Sequence, residues 1–135
     1  GKGPAHCVFC ERTETIQHVF LQCSHLQTIR TTLSMATANK FPINYTEEET
    51  CQKNPPLVFP QSRPLKISHF LVLSAYCYVV WRARCETLHH RVITMSSIER
   101  NLRAWIAYYQ LAAHQLNAHE VADILQDIQE AFPRP

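Results

Sequence analysis

Residues 6–23 read HCVFCERTETIQHVFLQC, and the spacing of their cysteines and histidines decides how the rest of the chain is read. Cys7 and Cys10 stand three positions apart, His18 follows after seven residues, and Cys23 after four more. A tight turn at Cys7-Val8-Phe9-Cys10 aims both sulfurs at one ion, and His18 and Cys23 close the shell from a helical turn and its end. Three thiolates and one imidazole make a structural zinc set. Soft donors select zinc over magnesium or calcium, and four protein ligands leave no open position for hydrolysis at the metal. One zinc per chain is therefore expected. Two competing readings are inert core cysteines and a redox dithiol, although no strand-then-helix context of the thioredoxin kind surrounds the pair. His6 and His25 flank the set as alternates to His18.

Outward from this module the chain reads as helix. Its 135 residues are 46% apolar, enough for one domain with a core, and 18% charged, too few for a disordered tail. Both glycines fall within the first three residues, so hairpin turns and phosphate-cradling loops have almost nothing to be built from. The expected fold is all-α: a small CCHC zinc module and first helix over 5–38, an irregular linker or strap over 39–64, and a helical domain over 65–132. Ser24 is the expected cap of the first helix, whose core residues are Leu26, Ile29 and Leu33. The linker holds Glu47–Glu49, and its Leu57, Val58 and Phe59 are suited to lie across the helices. A central helix at 65–90 is expected to carry Ile67, Phe70, Ser74, Cys77, Tyr78, Trp81, Cys85 and Leu88 on one buried face, with Leu71, Leu73, Val79 and Val80 extending the apolar surface so that it is covered on more than one side. Ser96 with Glu99, and Asn117 with Glu120, read as capping boxes for two further helices, or for one kinked helix. Trp81 and Trp105 are expected to be mostly buried. The apolar run at 70–81 is too short to span a bilayer, so no membrane association is expected.

Charge narrows the function classes. The formal net charge is +2, and three zinc-bound thiolates lower it to about −1. Five arginines lie between Arg82 and Arg103 against Glu86 and Glu99, whereas 119–130 carries four acids and no lysine or arginine. Arg82, Arg84, Arg91, Arg100 and Arg103 are the candidate phosphate contacts, with Lys2, Arg12 and Arg30 as additions from the zinc module. Tyr76, Trp81 and Tyr108 are candidates to stack a base, and core packing is the ordinary role for aromatics at helical spacing. The same arginines suit an acidic partner, self-association or a solvated face. His69, His89, His90, His114 and His119 make no metalloprotease-like set, so no catalytic residue, enzyme activity or small-molecule substrate is expected. Without a signal-like segment ahead of the cysteines, a reducing compartment suits them better than a disulfide scaffold. Gly1–Pro4 reads as a cloning scar or a cut edge, and the natural protein is expected to begin upstream.

The segment at 6–23 resembles the zinc-binding segment at the carboxyl end of non-LTR retrotransposon reverse transcriptases. That pattern runs C-x-x-C, an acidic-Thr pair, His, an apolar-Phe-apolar step and a closing Cys; Glu14-Thr15, His18, Phe20 and Cys23 match it in order. The family's later W-x-x-R-N element is similar to Trp81-Arg82-Ala83-Arg84-Cys85, with Cys85 where Asn is usual. The resemblance covers about 7–85. It implies an accessory module for RNA or DNA, within a longer element protein or a host protein derived from one, located in the nucleus with the cytoplasm as a second compartment. No polymerase aspartate motif is present, so polymerase activity does not carry over. The alternative partner is a protein or a second copy of the chain, with the zinc fold kept and nucleic-acid binding lost.

Overall fold

The computed structural model describes residues 6–36 and 62–132. Among them the chain is all-α, a small Cys/His cluster followed by a helical bundle, with a lone antiparallel bridge between His6 and Thr13. A π-turn at His18–Gln22 and a 3-10 turn at Ser24–Leu26 lead into α1 (Gln27–Ala36). Then come α2 (Arg63–Leu88), α3 (Met95–Gln115) and α4 (His119–Ala131). The strap expected at Leu57–Phe59 and the acidic triplet Glu47–Glu49 lie outside the described residues.

Helix α4 is the hub. Its Val121, Ala122, Leu125 and Ile128 are buried, and it packs against α3, α2 and α1. Leu26, Ile29 and Leu33 join the same core, as their spacing predicts. Ser24 makes no side-chain cap; it opens the 3-10 turn instead, so α1 begins at Gln27, two residues later than a Ser24 cap would start it.

The buried arc of α2 is not the expected one. It runs Ser68, Val72, Ala75, Tyr76, Val79, Val80 and Ala83. Phe70 is 70% exposed, and Ile67, Tyr78, Trp81 and Leu88 are exposed as well. Nearly every position from Leu71 to Trp81 is apolar, so periodicity alone does not choose a face. Ser68, Ala75 and Ala83 are small, which suits the close approach of neighbouring elements. The arc they define leaves the bulkier aromatics outside. Both tryptophans depart from expectation for this reason: Trp81 is 48% exposed and Trp105 37%, while Ile98, Leu102 and Ile106 fill the buried side of α3. At 26 residues α2 is long and apolar enough to cross a membrane by length and composition alone, so the shortness of the 70–81 run excludes nothing. Its buried arc in the bundle is also what a core helix shows.

The helix ends differ from expectation in an instructive way. Thr94, not Ser96, caps α3, its hydroxyl accepting from Ser97 N at 3.1 Å. Asn117 caps nothing at an N-terminus. It sits at φ 60° just past the end of α3, where Asn117 N donates to His114 O and Ala118 N to Ala113 O. This paired 6→1 and 5→2 pattern is a Schellman motif, and it separates α3 from α4 without glycine or proline. His90 (φ 64°) ends α2 the same way, with His90 N donating to Thr87 O and Arg91 N to Glu86 O. At the other end of α2, the Ser62 hydroxyl accepts from Leu65 N at 3.3 Å and Pro64 stands in the first turn, so the helix starts inside the expected linker.

Candidate metal centre

The cluster forms from a knuckle and a π-turn. Cys7 N donates to Arg12 O (2.6 Å) and Glu11 N to Cys7 O (2.8 Å), folding Cys7–Arg12 around a left-handed Glu11 at φ 65°. Thr15 Oγ1 accepts from His18 N at 2.9 Å and starts the next turn. Cys23 N then donates to His18 O at 2.7 Å, an i→i+5 bond. In an α-helix, residues five apart are rotated by about 140° from each other. The wider π-turn removes much of that rotation, so both side chains face the knuckle.

The four ligand atoms of Cys7, Cys10, His18 and Cys23 all lie within 4.8 Å of one another. Cys7 and Cys23 sulfurs are 3.9 Å apart, close to the ~3.8 Å that two Zn–S bonds of about 2.3 Å make at a tetrahedral angle. Cys10 Sγ and His18 Nε2 stand at a hydrogen-bond separation of 2.9 Å, inside the ~3.6 Å set by a shared tetrahedral ion. A small outward movement of the half-covered Cys10 accommodates the difference. Cys7, His18 and Cys23 are buried, and burial pushes the Cys23 thiol up to about 12. Such a pocket resists holding free thiolates and fits a soft cation that neutralises them. The donor set, its burial and its spacing fit one structural zinc ion per chain, held by Cys7, Cys10, His18 and Cys23.

The flanking histidines play other parts. His6 Nδ1 meets Glu11 O at 3.1 Å, and His25 is exposed outside the cluster. Cys77 and Cys85 stay on α2, and among the described residues no other group of His, Cys, Asp or Glu can hold an ion.

Three contacts fasten the module to α2. The fully buried Tyr76 donates from its hydroxyl to Phe20 O at 2.8 Å, inside the π-turn. Arg30 of α1, itself 2% exposed, lies close to the same hydroxyl, and burial outweighs its charge to push the Tyr76 phenol up to about 12. Phe20 packs on Trp81 at 6.4 Å between ring centroids. Arg84 makes a bidentate ion pair with Glu14, and its guanidinium lies 4.6 Å from the centre of the Trp81 ring. The hydrogen bond from Arg84 holds the Glu14 carboxyl below its usual range.

The expected phosphate contacts separate accordingly. Arg84 is engaged by Glu14, with only 17% of its side chain exposed, and Arg30 is buried. Neither presents a free guanidinium to a ligand. Arg82 is 65% exposed in an i,i+4 pair with Glu86 at 3.2 Å. Arg91 and Arg100 are exposed, and Arg103 is half-buried. Of the aromatics, Tyr76 is in the core, Trp81 stays about half exposed while packing on Arg84 and Phe20, and Tyr108 is 63% exposed. Sequence reasoning missed Tyr78, Trp105 and Asn101, which share a hollow between α2 and α3 with Arg82 and Tyr108. A signal was present: Asn101, Trp105 and Tyr108 follow one another at steps of four and three, a single stripe of helix. Set against known family models, curated proteins and solved structures, the chain matches none.

Proposed function

We propose that this chain is a non-enzymatic accessory module, folded around zinc, that binds RNA or DNA through phosphate contacts. The observation that carries the reading is the corner between α2 and α3. Arg91 lies between the two helices and Arg82 and Arg100 on them, all three exposed, and Arg82 shares a hollow with the exposed rings of Tyr78 and Tyr108. Guanidinium groups at the edge of aromatic surface are the ordinary equipment of single-strand binding. The resemblance of 7–23 to the reverse-transcriptase zinc segment adds support for descent from a retroelement protein, and with it a nuclear location, the cytoplasm being the second compartment.

The test replaces Arg82, Arg91 and Arg100 together by Gln in the zinc-loaded protein and follows oligonucleotide binding as salt is raised. Affinity should fall for every sequence alike, and the salt slope should lose roughly 0.7 per contact on single strands, about 2 in all. Replacing Arg84 would confound the answer, because its ion pair with Glu14 ties the zinc module to α2.

A second reading, a protein-interaction or self-association module, draws on Phe70, Ile67 and Met35, which are 70%, 40% and 67% exposed. It expects no measurable oligonucleotide affinity at physiological salt, together with a light-scattering mass above that of one chain.

A further inference from the structure

The hollow between α2 and α3 has a cavity volume of about 650 Å³, within the roughly 300–1,000 Å³ of small-molecule sites. Its lining includes the aromatic side chains Tyr78, Trp105 and Tyr108. Trp105 meets Tyr78 edge-on at 5.5 Å and Tyr108 at 6.2 Å. This arrangement keeps the three rings upright while leaving Tyr78 49% and Tyr108 63% exposed. A hollow with open π-faces accepts a flat ring, and stacking on them needs no particular sequence.

Its polar groups say which flat ring. Glu86 gives one carboxylate oxygen to Arg82 and has its second to offer as an acceptor. Asn101 carries a carboxamide that makes no hydrogen bond among the described residues, and it offers both a donor and an acceptor. Arg82 lies in the same lining with most of its side chain exposed, placed for a phosphate attached to whatever enters. An acceptor-only carboxylate favours a ring bearing an exocyclic amine. Uracil instead presents its N3–H between two carbonyl oxygens, which face the carboxylate unfavourably.

We infer that this hollow seats one unpaired, amino-bearing nucleobase of a single strand, stacked on Tyr108 and read by Glu86 and Asn101. The inference rests on the nucleic-acid reading above and assigns that reading a base-recognition site.

Cytosine and uracil have the same size and differ at this amine, so the probes are labelled ten-nucleotide oligocytidylate and oligouridylate, titrated into the zinc-loaded full chain. Oligocytidylate should bind more tightly by roughly five- to a hundredfold. Glu86→Gln should erase that preference, since an amide both donates and accepts. Tyr108→Ala should weaken both probes by roughly fivefold or more while leaving the salt slope unchanged. Equal wild-type affinity for the two probes, or a Tyr108→Ala protein that binds as the wild type does, overturns the base site. If the triple arginine variant still weakens binding in that case, the phosphate-binding reading stands alone. A wild-type protein that binds neither probe overturns both.

Discussion

Arg84 and Glu14 lie 70 residues apart in sequence, and their side chains close on each other in a two-bonded fork, Nη2 to Oε2 at 2.7 Å. Through this pair the knuckle of the zinc module is tied to the middle of the bundle. Their side chains are 17% and 13% exposed, so solvent screens the pair little. Glu14→Gln should cost about 2 kcal/mol, less than a fully buried pair and more than a surface one. Denaturant melts of the single and double variants with Arg84→Gln would isolate the coupling. The sign of the pH effect follows from the lowered carboxyl of Glu14. Its contribution is fully present above the unfolded value near 4.5 and is lost as pH falls through the lower folded value. The stability gap between wild type and Glu14→Gln should therefore be constant from about pH 8 to pH 5 and shrink below that.

Native mass spectrometry should find one zinc per chain, and Cys10→Ser or Cys23→Ser should abolish it. Metal binding here is also folding energy. Because Cys7, Val19, Cys23 and Leu26 share the core cluster with α2 and α4, chelation should loosen the bundle as well as the module. A chain that keeps its full helical signal and melting temperature in excess chelator would contradict the assignment.

Tyr76→Phe removes one oxygen from the interior. Phe20 O would lose its donor, at a cost of about 1–3 kcal/mol. The hydroxyl also braces the π-turn that carries two ligands, so zinc affinity should fall roughly tenfold, as for other groups that orient metal ligands. A competition titration with a coloured chelator reads this directly. Unchanged affinity would mean that the turn holds its shape unaided.

His90→Gly should stabilise the protein. The left-handed conformation at φ 64° costs a residue with a Cβ about 1 kcal/mol, which glycine avoids. The His90 ring is exposed and accounts for no described packing. The expected gain, up to about 1 kcal/mol, shows as a raised melting temperature. His90→Ala should show none of it.

The parts of the structure legible in sequence are those where one residue type has few alternatives. Cys7, Cys10, His18 and Cys23 converge because soft ligands at those spacings have one common use. Leu26, Ile29 and Leu33 are legible as the core face of the first helix because polar residues separate them. In α2 no such residues interrupt 71–73 or 75–81, and the face was set by where small side chains let neighbours approach. The Schellman ends were hidden because His90 and Asn117 occupy positions where glycine is the familiar sign. Arg84 looked like a ligand contact because its true partner, Glu14, lies far away along the chain.

The π-turn has a consequence for how this protein can change over time. Between His18 and Cys23 lie Val19, Phe20, Leu21 and Gln22, and the wide turn that they form depends on their number more than on their identity. Conservative exchanges there alter packing by small steps, and deletion of one gives an i→i+4 α-turn that still holds both ligands on one face, about 40° apart, whereas an inserted helical residue turns the final thiol by about 100°. Lineages of this module should therefore diverge freely in spelling at 19–22 and tolerate loss of one residue there better than gain of one.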